Sequence, residues 1–127
     1  MTCFWDSILN TLTNEDFRPF GYVKMPNTEF VLFLKKFNKK TKNVSWNSEK
    51  FTEKQLEENF THIKDFDYRS IRNGYDCSIC DPFLILTSEL FNISITHDYR
   101  GNVMRYDNKQ SKRVVNYGSN SGHFFNR

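Results

Sequence analysis

The sequence contains no alanine, only three cysteines and five glycines, and no long apolar segment. The absence of alanine, beside abundant asparagine and lysine, indicates an AT-rich coding sequence and points towards a viral or parasitic genome. Three cysteines, two of them only three positions apart, do not make a disulfide framework. We therefore expect a reducing compartment.

Signals for secretion or membrane insertion are also missing. The first residues lack the basic segment followed by an apolar segment that marks a secretory signal. The longest apolar runs, such as residues 30–34, are far too short to cross a bilayer. The sequence predicts a soluble cytosolic protein with no membrane partner.

The aromatic content and the charge favour a folded domain that does not target nucleic acid. Thirteen Phe, six Tyr and two Trp within 127 residues are typical of one globular domain, spanning residues 1–127. The net charge is +3, and five lysines lie in residues 35–42, which leaves 13 basic against 15 acidic residues elsewhere. That lysine stretch could bind RNA phosphates, but a solvated helix end is the favoured interpretation.

Local signals predict four helices in the first three quarters of the chain. Thr52 and Gln55 have the spacing of a capping box, and Asp81 followed by Pro82 is a strong helix start. Apolar periodicity supports the first helix, and Pro26-Asn27-Thr28 supplies a start signal for the second, although residues 29–34 could also form a buried strand. The predicted helices cover residues 3–12, 26–37, 52–63 and 81–91.

The last third of the chain is typical of strands. Residues 92–96 alternate isoleucine with polar side chains, and turns are predicted at 100–102 and 118–122. The predicted strands cover residues 92–96, 103–106, 114–117 and the segment from 123, whereas 38–48 and 65–80 are predicted to be irregular. Helices followed by an antiparallel sheet indicate an α+β fold.

Cys3 and His123 are the candidate nucleophile and base. Cys3 begins a predicted helix, where free amides and the helix dipole stabilise a thiolate and can also hold an oxyanion. His123 follows a flexible Gly/Ser turn and begins the last strand. A cysteine near a terminus is more often an ordinary small side chain, so these residue types alone do not establish catalysis.

Three segments resemble known cysteine proteases. Cys3-Phe4-Trp5 and the apolar helix after it resemble the nucleophile helix of papain-like enzymes, especially picornavirus leader proteases and the papain-like proteases of nidovirus polyproteins. Residues 74–95 resemble the helix-then-strand segment of OTU proteases. Gly122-His123-Phe124-Phe125 resembles the strand that carries the catalytic histidine in both groups. The resemblance spans nearly the whole chain and implies a compact papain-like or OTU-like fold.

The identity of a third catalytic residue stays open. OTU enzymes often place it two positions after the histidine, where this chain has Phe125. Asn126 is the nearest candidate, but residues three apart on a strand do not share a face unless the strand is bulged. Asn116 on the preceding strand and a bare Cys–His dyad are the alternatives. The Asp-Gly-Asn that usually precedes the OTU nucleophile is also absent.

Cys77 and Cys80 have the spacing of half a zinc ribbon. A structural zinc site needs four ligands, and the chain has no second such pair. Two ordinary thiols near a helix start are the favoured interpretation, so we expect neither a metal nor a cofactor.

The sequence thus predicts a viral thiol protease that hydrolyses peptide or isopeptide bonds in the host cytoplasm. The resemblance implies ubiquitin or ubiquitin-like conjugates as substrates, or the viral polyprotein itself. Trp5 and Gly122 are expected to border the substrate channel. The alternative is a non-enzymatic viral accessory module that binds a host protein or RNA.

Overall fold

The computed structural model describes residues 2–127, in which helices and a five-stranded sheet form an α+β fold, as the sequence predicts. The helices are α1 (Cys3–Asn10), α2 (Asn14–Phe17), α3 (Asn27–Lys36), α4 (Glu53–Asp65) and α5 (Pro82–Phe91), and 3₁₀ turns span Arg18–Phe20 and Tyr68–Asn73. The strands are β1 (Val44–Trp46), β2 (Ser94–Tyr99), β3 (Asn102–Asn108), β4 (Val114–Asn120) and β5 (His123–Asn126).

The two helices with strong start signals begin where those signals predict. Thr52 Oγ1 accepts the Gln55 amide N–H at 3.2 Å, and Gln55 Oε1 accepts the Thr52 amide at 2.8 Å, which completes the capping box of α4. The Asp81 carboxylate accepts the N–H groups of Phe83 and Leu84 at the start of α5. These contacts satisfy amides that would otherwise lack a partner.

The sheet has the order β1-β3-β2-β4-β5 and is mixed rather than wholly antiparallel. β2 and β3 form a hairpin, and β1 pairs with the other edge of β3. The chain reverses again after β3, so β4 runs in the direction of β2. Because β4 pairs with β2 and not with β3, that one pairing is parallel. The expectation of an antiparallel sheet is corrected at this pair.

Three other segments differ from the sequence-based expectation. The predicted loop 38–48 contains β1, and the irregular segment 65–80 contains a 3₁₀ turn. The predicted turn at 118–122 is shorter, because β4 continues to Asn120. Pairing with the distant β3 stabilises β1, and no local pattern encodes it. The end of β4 is stabilised by pairing with Tyr99 of β2 and, in the tight hairpin, with His123.

One face of the sheet is buried beneath the helices, and the other face is open. Along β3, Met104, Tyr106 and Asn108 are buried whereas the residues between them are exposed. At the end of the sheet, α1 packs on β5: Ser7 Oγ donates to the Phe124 carbonyl at 3.2 Å. The first helix and the last strand are therefore neighbours.

Within residues 2–127, every helix falls short of the length and apolar character that crossing a bilayer requires.

Candidate active site

A cleft of about 720 Å³ opens on the buried face of the sheet, where the parallel strands β2 and β4 end. One side is the loop between the second 3₁₀ turn and α5, here named the loop wall (residues 73–79). The opposite side is the hairpin wall (residues 119–124), formed by the end of β4, the turn after it and the start of β5. His97, Tyr99 and Met104 contribute from β2 and β3, and Cys3 also lines the cleft. The sheet thus provides a floor that the helices leave uncovered.

Cys3 is the first residue of α1 and is half-buried. The preceding residue, Thr2, does not cap the helix: its hydroxyl donates to the Asp6 carboxylate at 2.6 Å instead. Among residues 2–127 no side chain accepts a hydrogen bond from the first-turn amides of α1. These N–H groups can therefore bind an oxyanion that forms beside the Cys3 sulfur.

His123 begins β5 on the rim of the same cleft. It pairs with Asn120, and strand alternation places it with Phe125 on the open face of the sheet. The His123 and Phe125 rings stack with centroids 5.7 Å apart. In the part of the chain that the structure describes, no hydrogen bond joins the His123 imidazole to the Cys3 thiol. The fold brings the two residues to one cleft without placing them in contact.

Asn126 lies on the opposite face of β5 from His123. Its Nδ2 donates to the Ser7 carbonyl at 2.9 Å and so fastens β5 to α1. The pairing of β4 with β5 is continuous from Asn120–His123 to Tyr117–Asn126, so no bulge turns Asn126 towards His123. This geometry assigns Asn126 to docking the strand.

Asn116 is also badly placed to orient His123. It lies four residues before Asn120, the strand partner of His123, which is about 13 Å along β4. Asn120 itself uses its Oδ1 to accept the Gly122 amide at 3.0 Å. Neither Asn126 nor Asn116 is therefore positioned to orient the His123 ring.

Trp5 lies in the core and not in the cleft. Its side chain is 0% exposed, and its ring packs edge-on against Phe4 and Phe83 with centroids 4.8 Å apart in each case. The expectation that Trp5 borders a substrate channel is therefore wrong. Phe4 and Trp5 directly follow Cys3 in α1, and both side chains are buried in the core. No local sequence pattern distinguishes an aromatic residue at the rim of a cleft from one in the core.

Gly122 lines the cleft at the tip of the hairpin wall, as expected of a residue that borders a channel. A Cβ atom at this position would meet nothing within 4 Å. The space beside Gly122 is therefore open to a ligand.

A series of polar side chains across the floor of the cleft was not predicted from the sequence. His97 is 1% exposed, its Nε2 lies 2.6 Å from Ser119 Oγ, and its Nδ1 lies 4.0 Å from Cys77 Sγ. Burial lowers the pKa of His97, against a smaller opposing effect of Asp98, so the ring is neutral at pH 7. The alternation of Ile93 and Ile95 continues to His97, and extending the predicted strand by one residue would have placed it inside.

Cys77 and Cys80 are free thiols of low reactivity. Burial, with the nearby Asp81 carboxylate, raises the pKa of Cys77 strongly and that of Cys80 to about 12. Both side chains therefore remain protonated at neutral pH. Among residues 2–127, no three His, Cys, Asp or Glu side chains cluster as metal ligands would.

The lysines of the 35–42 stretch are largely engaged within the fold. Lys35 Nζ donates to the carbonyl oxygens that end α4, including that of Lys64 at 2.7 Å. Lys39 lies 3.5 Å from the Glu89 carboxylate, and Lys40 lies 2.9 Å from that of Glu57. These contacts favour the structural interpretation of the stretch over RNA binding.

Comparison of the chain with models of protein families, with curated proteins and with solved structures found no match.

Proposed function

We propose that the protein is a cysteine peptidase whose nucleophile is Cys3 and whose general base is His123. The observation that carries the proposal is the cleft, which places a half-buried thiol at the uncapped start of α1 and a histidine on the same rim. A thiol at a helix N-terminus is stabilised as the thiolate by the amides and the dipole behind it.

The reaction uses side chains of the first helix and the last strand, α1 and β5. Cys3 Sγ attacks the substrate carbonyl while His123 accepts the thiol proton, and the amides of the first turn of α1 hold the oxyanion. His123 then gives its proton to the leaving amine, and water hydrolyses the thioester. His123 is exposed, and within residues 2–127 its ring contacts only that of Phe125, so the proposal requires the side chain to turn from the open face towards Cys3 when substrate binds. Catalytic contacts are often loose before substrate binds.

The other two thiols are poor nucleophiles by comparison. Cys77 and Cys80 are held protonated by burial and by Asp81, and neither begins a helix. This difference supports Cys3 as the nucleophile.

The loop wall supports an extended polypeptide as substrate. Residues 74–78 have no regular secondary structure, and within residues 2–127 the amide N–H groups of Tyr75, Asp76 and Cys77 have no acceptor. Unpaired extended backbone can pair with an incoming strand without demanding particular side chains. Together with the open space at Gly122, this favours a narrow tail such as the Gly-Gly end of ubiquitin or a relative.

Conjugates of ubiquitin-like proteins in the host cytoplasm are therefore the proposed substrates, with a segment of a viral polyprotein as the second possibility. Both present an extended segment to the loop wall. The resemblance to viral proteases supports this setting.

The test is labelling with ubiquitin that carries a thiol-reactive C-terminus. We expect the wild-type protein to form an adduct at Cys3, Cys3→Ala to form none, and His123→Ala to react far more slowly. Cys80→Ser is the matched control and should react as the wild type does, because Cys80 does not line the cleft. Circular dichroism would establish that each variant folds.

Each other outcome has a distinct meaning. An adduct at Cys77 or Cys80 would overturn the nucleophile assignment. Reaction of Cys3 with iodoacetamide but not with the ubiquitin probe would reject ubiquitin and leave polyprotein peptides to be assayed. Absence of hydrolysis with both substrates would support the non-enzymatic binding module.

A further inference from the structure

Within residues 2–127, His97 is the one residue whose side chain makes hydrogen-bond contacts with both walls of the cleft. Nε2 lies 2.6 Å from Ser119 Oγ on the hairpin wall, and Nδ1 lies 4.0 Å from Cys77 Sγ on the loop wall. The two walls come from distant parts of the sequence, and within residues 2–127 no hydrogen bond joins them directly. The His97 imidazole is therefore the polar link between the walls, beside the apolar contact of the Phe4 ring, which lies 4.5 Å from that of Tyr75 and 4.9 Å from that of Phe124.

The surroundings of His97 keep it neutral and fixed. Its partners across the sheet are Met104 on β3 and Tyr117 on β4, and its ring lies 5.3 Å from that of Phe124 on β5. Asp98 on its own strand is the one carboxylate that favours protonation of the ring, and burial outweighs it.

The two ring nitrogens have different roles. A neutral imidazole has one donor and one acceptor nitrogen. The Cys77 thiol is protonated, because burial and the Asp81 carboxylate raise its pKa, and it can donate to Nδ1. Nε2 then carries the hydrogen and donates to Ser119 Oγ. The thiol has two competing acceptors, the Ser78 carbonyl at 3.6 Å and the Asp81 carboxylate.

We propose that His97 is a positioning residue that sets the width of the cleft by linking Cys77 on the loop wall to Ser119 on the hairpin wall. Its effect on catalysis rests on the proposed function. The loop wall carries the unpaired amides that align an extended substrate, and the hairpin wall carries His123 and Gly122. A fixed spacing between the walls brings an aligned peptide to Cys3, whereas a small reagent reaches Cys3 whatever the spacing.

A double-mutant cycle tests the link. Cys77→Ala and Ser119→Ala each remove one of the two hydrogen-bond partners of the His97 ring. Each should slow the ubiquitin probe several-fold and leave the iodoacetamide reaction of Cys3 unchanged. Because either truncation breaks the same link, the double variant should be little slower than the single ones, although Cys77 and Ser119 share no contact of their own.

Two matched variants provide the controls. Cys77→Ser keeps a donor for Nδ1 and should restore most of the rate with the ubiquitin probe that Cys77→Ala loses. Cys80→Ala removes a thiol three residues away that does not line the cleft, so its effect should add to that of Ser119→Ala. Additive effects of Cys77→Ala and Ser119→Ala would overturn the proposal, as would an equal loss in Cys77→Ser.

Nitrogen-15 NMR of the imidazole tests the link without an activity assay. In the Cys3→Ser protein, His97 should show the Nε2–H tautomer and remain neutral below pH 6.5, the usual midpoint of histidine. Cys77→Ala should change the Nδ1 shift, and Cys80→Ala should not. An Nδ1–H tautomer, or a charged ring at pH 7, would overturn the proposal. If the wild-type protein does not react with the ubiquitin probe, ubiquitin is rejected as the substrate, and this spectrum still tests the hydrogen bonds of His97.

Discussion

Two glycines of the β4–β5 hairpin, four residues apart, have different surroundings. A Cβ at Gly118 would lie 2.5 Å from Cε2 of the Phe125 ring and 2.8 Å from Cδ of Arg127, closer than packed carbon atoms allow. At Gly122 the same atom would meet nothing within 4 Å. Gly118 is therefore required by packing, whereas Gly122 only leaves space beside the cleft.

These surroundings predict opposite results for the two glycines. Gly118→Ala should lower the free energy of unfolding by about 1–3 kcal/mol, because the Phe125 ring must move. Gly122→Ala should change it by about 0.5 kcal/mol or less. Urea unfolding followed by tryptophan fluorescence would measure both.

Gly122→Trp should slow the reaction of Cys3 with the ubiquitin probe far more than its reaction with iodoacetamide. An unchanged rate with the probe would show that the channel lies elsewhere.

At the scale of single residues, the sequence indicates where chemically reactive side chains lie in helices and strands, but not which distant residues they contact. Cys3 at a helix start and His123 at a strand start are local features, and both were predicted to lie where the structure has them. The Trp5 ring and the His97 imidazole could not be assigned, because each depends on which distant element covers it. The role of Asn126 likewise follows from the position of α1, which no strand pattern encodes.

At the scale of elements, α5 holds the segment before β1 through one buried carboxylate. Glu89 is buried and accepts the amide N–H groups of Lys42 and Asn43, each at 2.9 Å, and the Thr41 hydroxyl. Burial opposes its ionisation, but these hydrogen bonds outweigh that effect and lower the pKa of Glu89. A lysine-rich segment without regular structure is thereby fixed against a helix 46 residues later.

Removing this carboxylate should loosen β1. Glu89→Ala leaves two amides without their acceptor, so we expect the free energy of unfolding to fall by about 3 kcal/mol. Glu53→Ala removes a carboxylate that is exposed and bound only to Lys40, and it should change little. Chemical denaturation of both variants would measure the difference. An equal small effect would show that the segment is held by other contacts.

The helices could be predicted better than the sheet, for a physical reason. Capping boxes and Asp-Pro starts act within one helical turn, so α4 and α5 begin where their sequences indicate. The pairing partner of a strand is determined by contacts between residues that are distant in the sequence. β1 consists of three residues paired with β3, and the parallel pairing of β2 with β4 depends on which edge of the hairpin is free.

At the scale of the molecule, a buried ion pair connects the first quarter of the chain to the sheet. Asp16 in α2 accepts two hydrogen bonds from the Arg113 guanidinium, each at 2.9 Å, and its carboxylate is 2% exposed. Burial opposes the charge, but Arg113 outweighs this and lowers the pKa of Asp16. The pair stabilises the fold above the unfolded pKa of 3.8, and that contribution is lost as the pH falls through the lower folded value.

Arg113→Met should therefore destabilise the protein in a pH-dependent way. At pH 7 the loss should be about 3 kcal/mol, because Asp16 keeps only Thr13 and the more distant Lys112 as partners. The difference from the wild type should shrink as the pH falls below about 4 and Asp16 becomes protonated. Unfolding curves across pH 3–7 would test this. Arg18→Gln, at an exposed pair with Glu15, is the control and should show little loss.

The packing of α1 on β5 also fixes when the cleft can exist. The contact that fastens β5 to α1 joins Ser7 to Asn126, 119 residues later in the sequence. A nascent chain therefore exposes the Cys3 thiol without the opposite wall of the cleft until Asn126 has left the exit tunnel. The cleft forms only after β5 has been synthesised, so its assembly follows translation of the whole sheet.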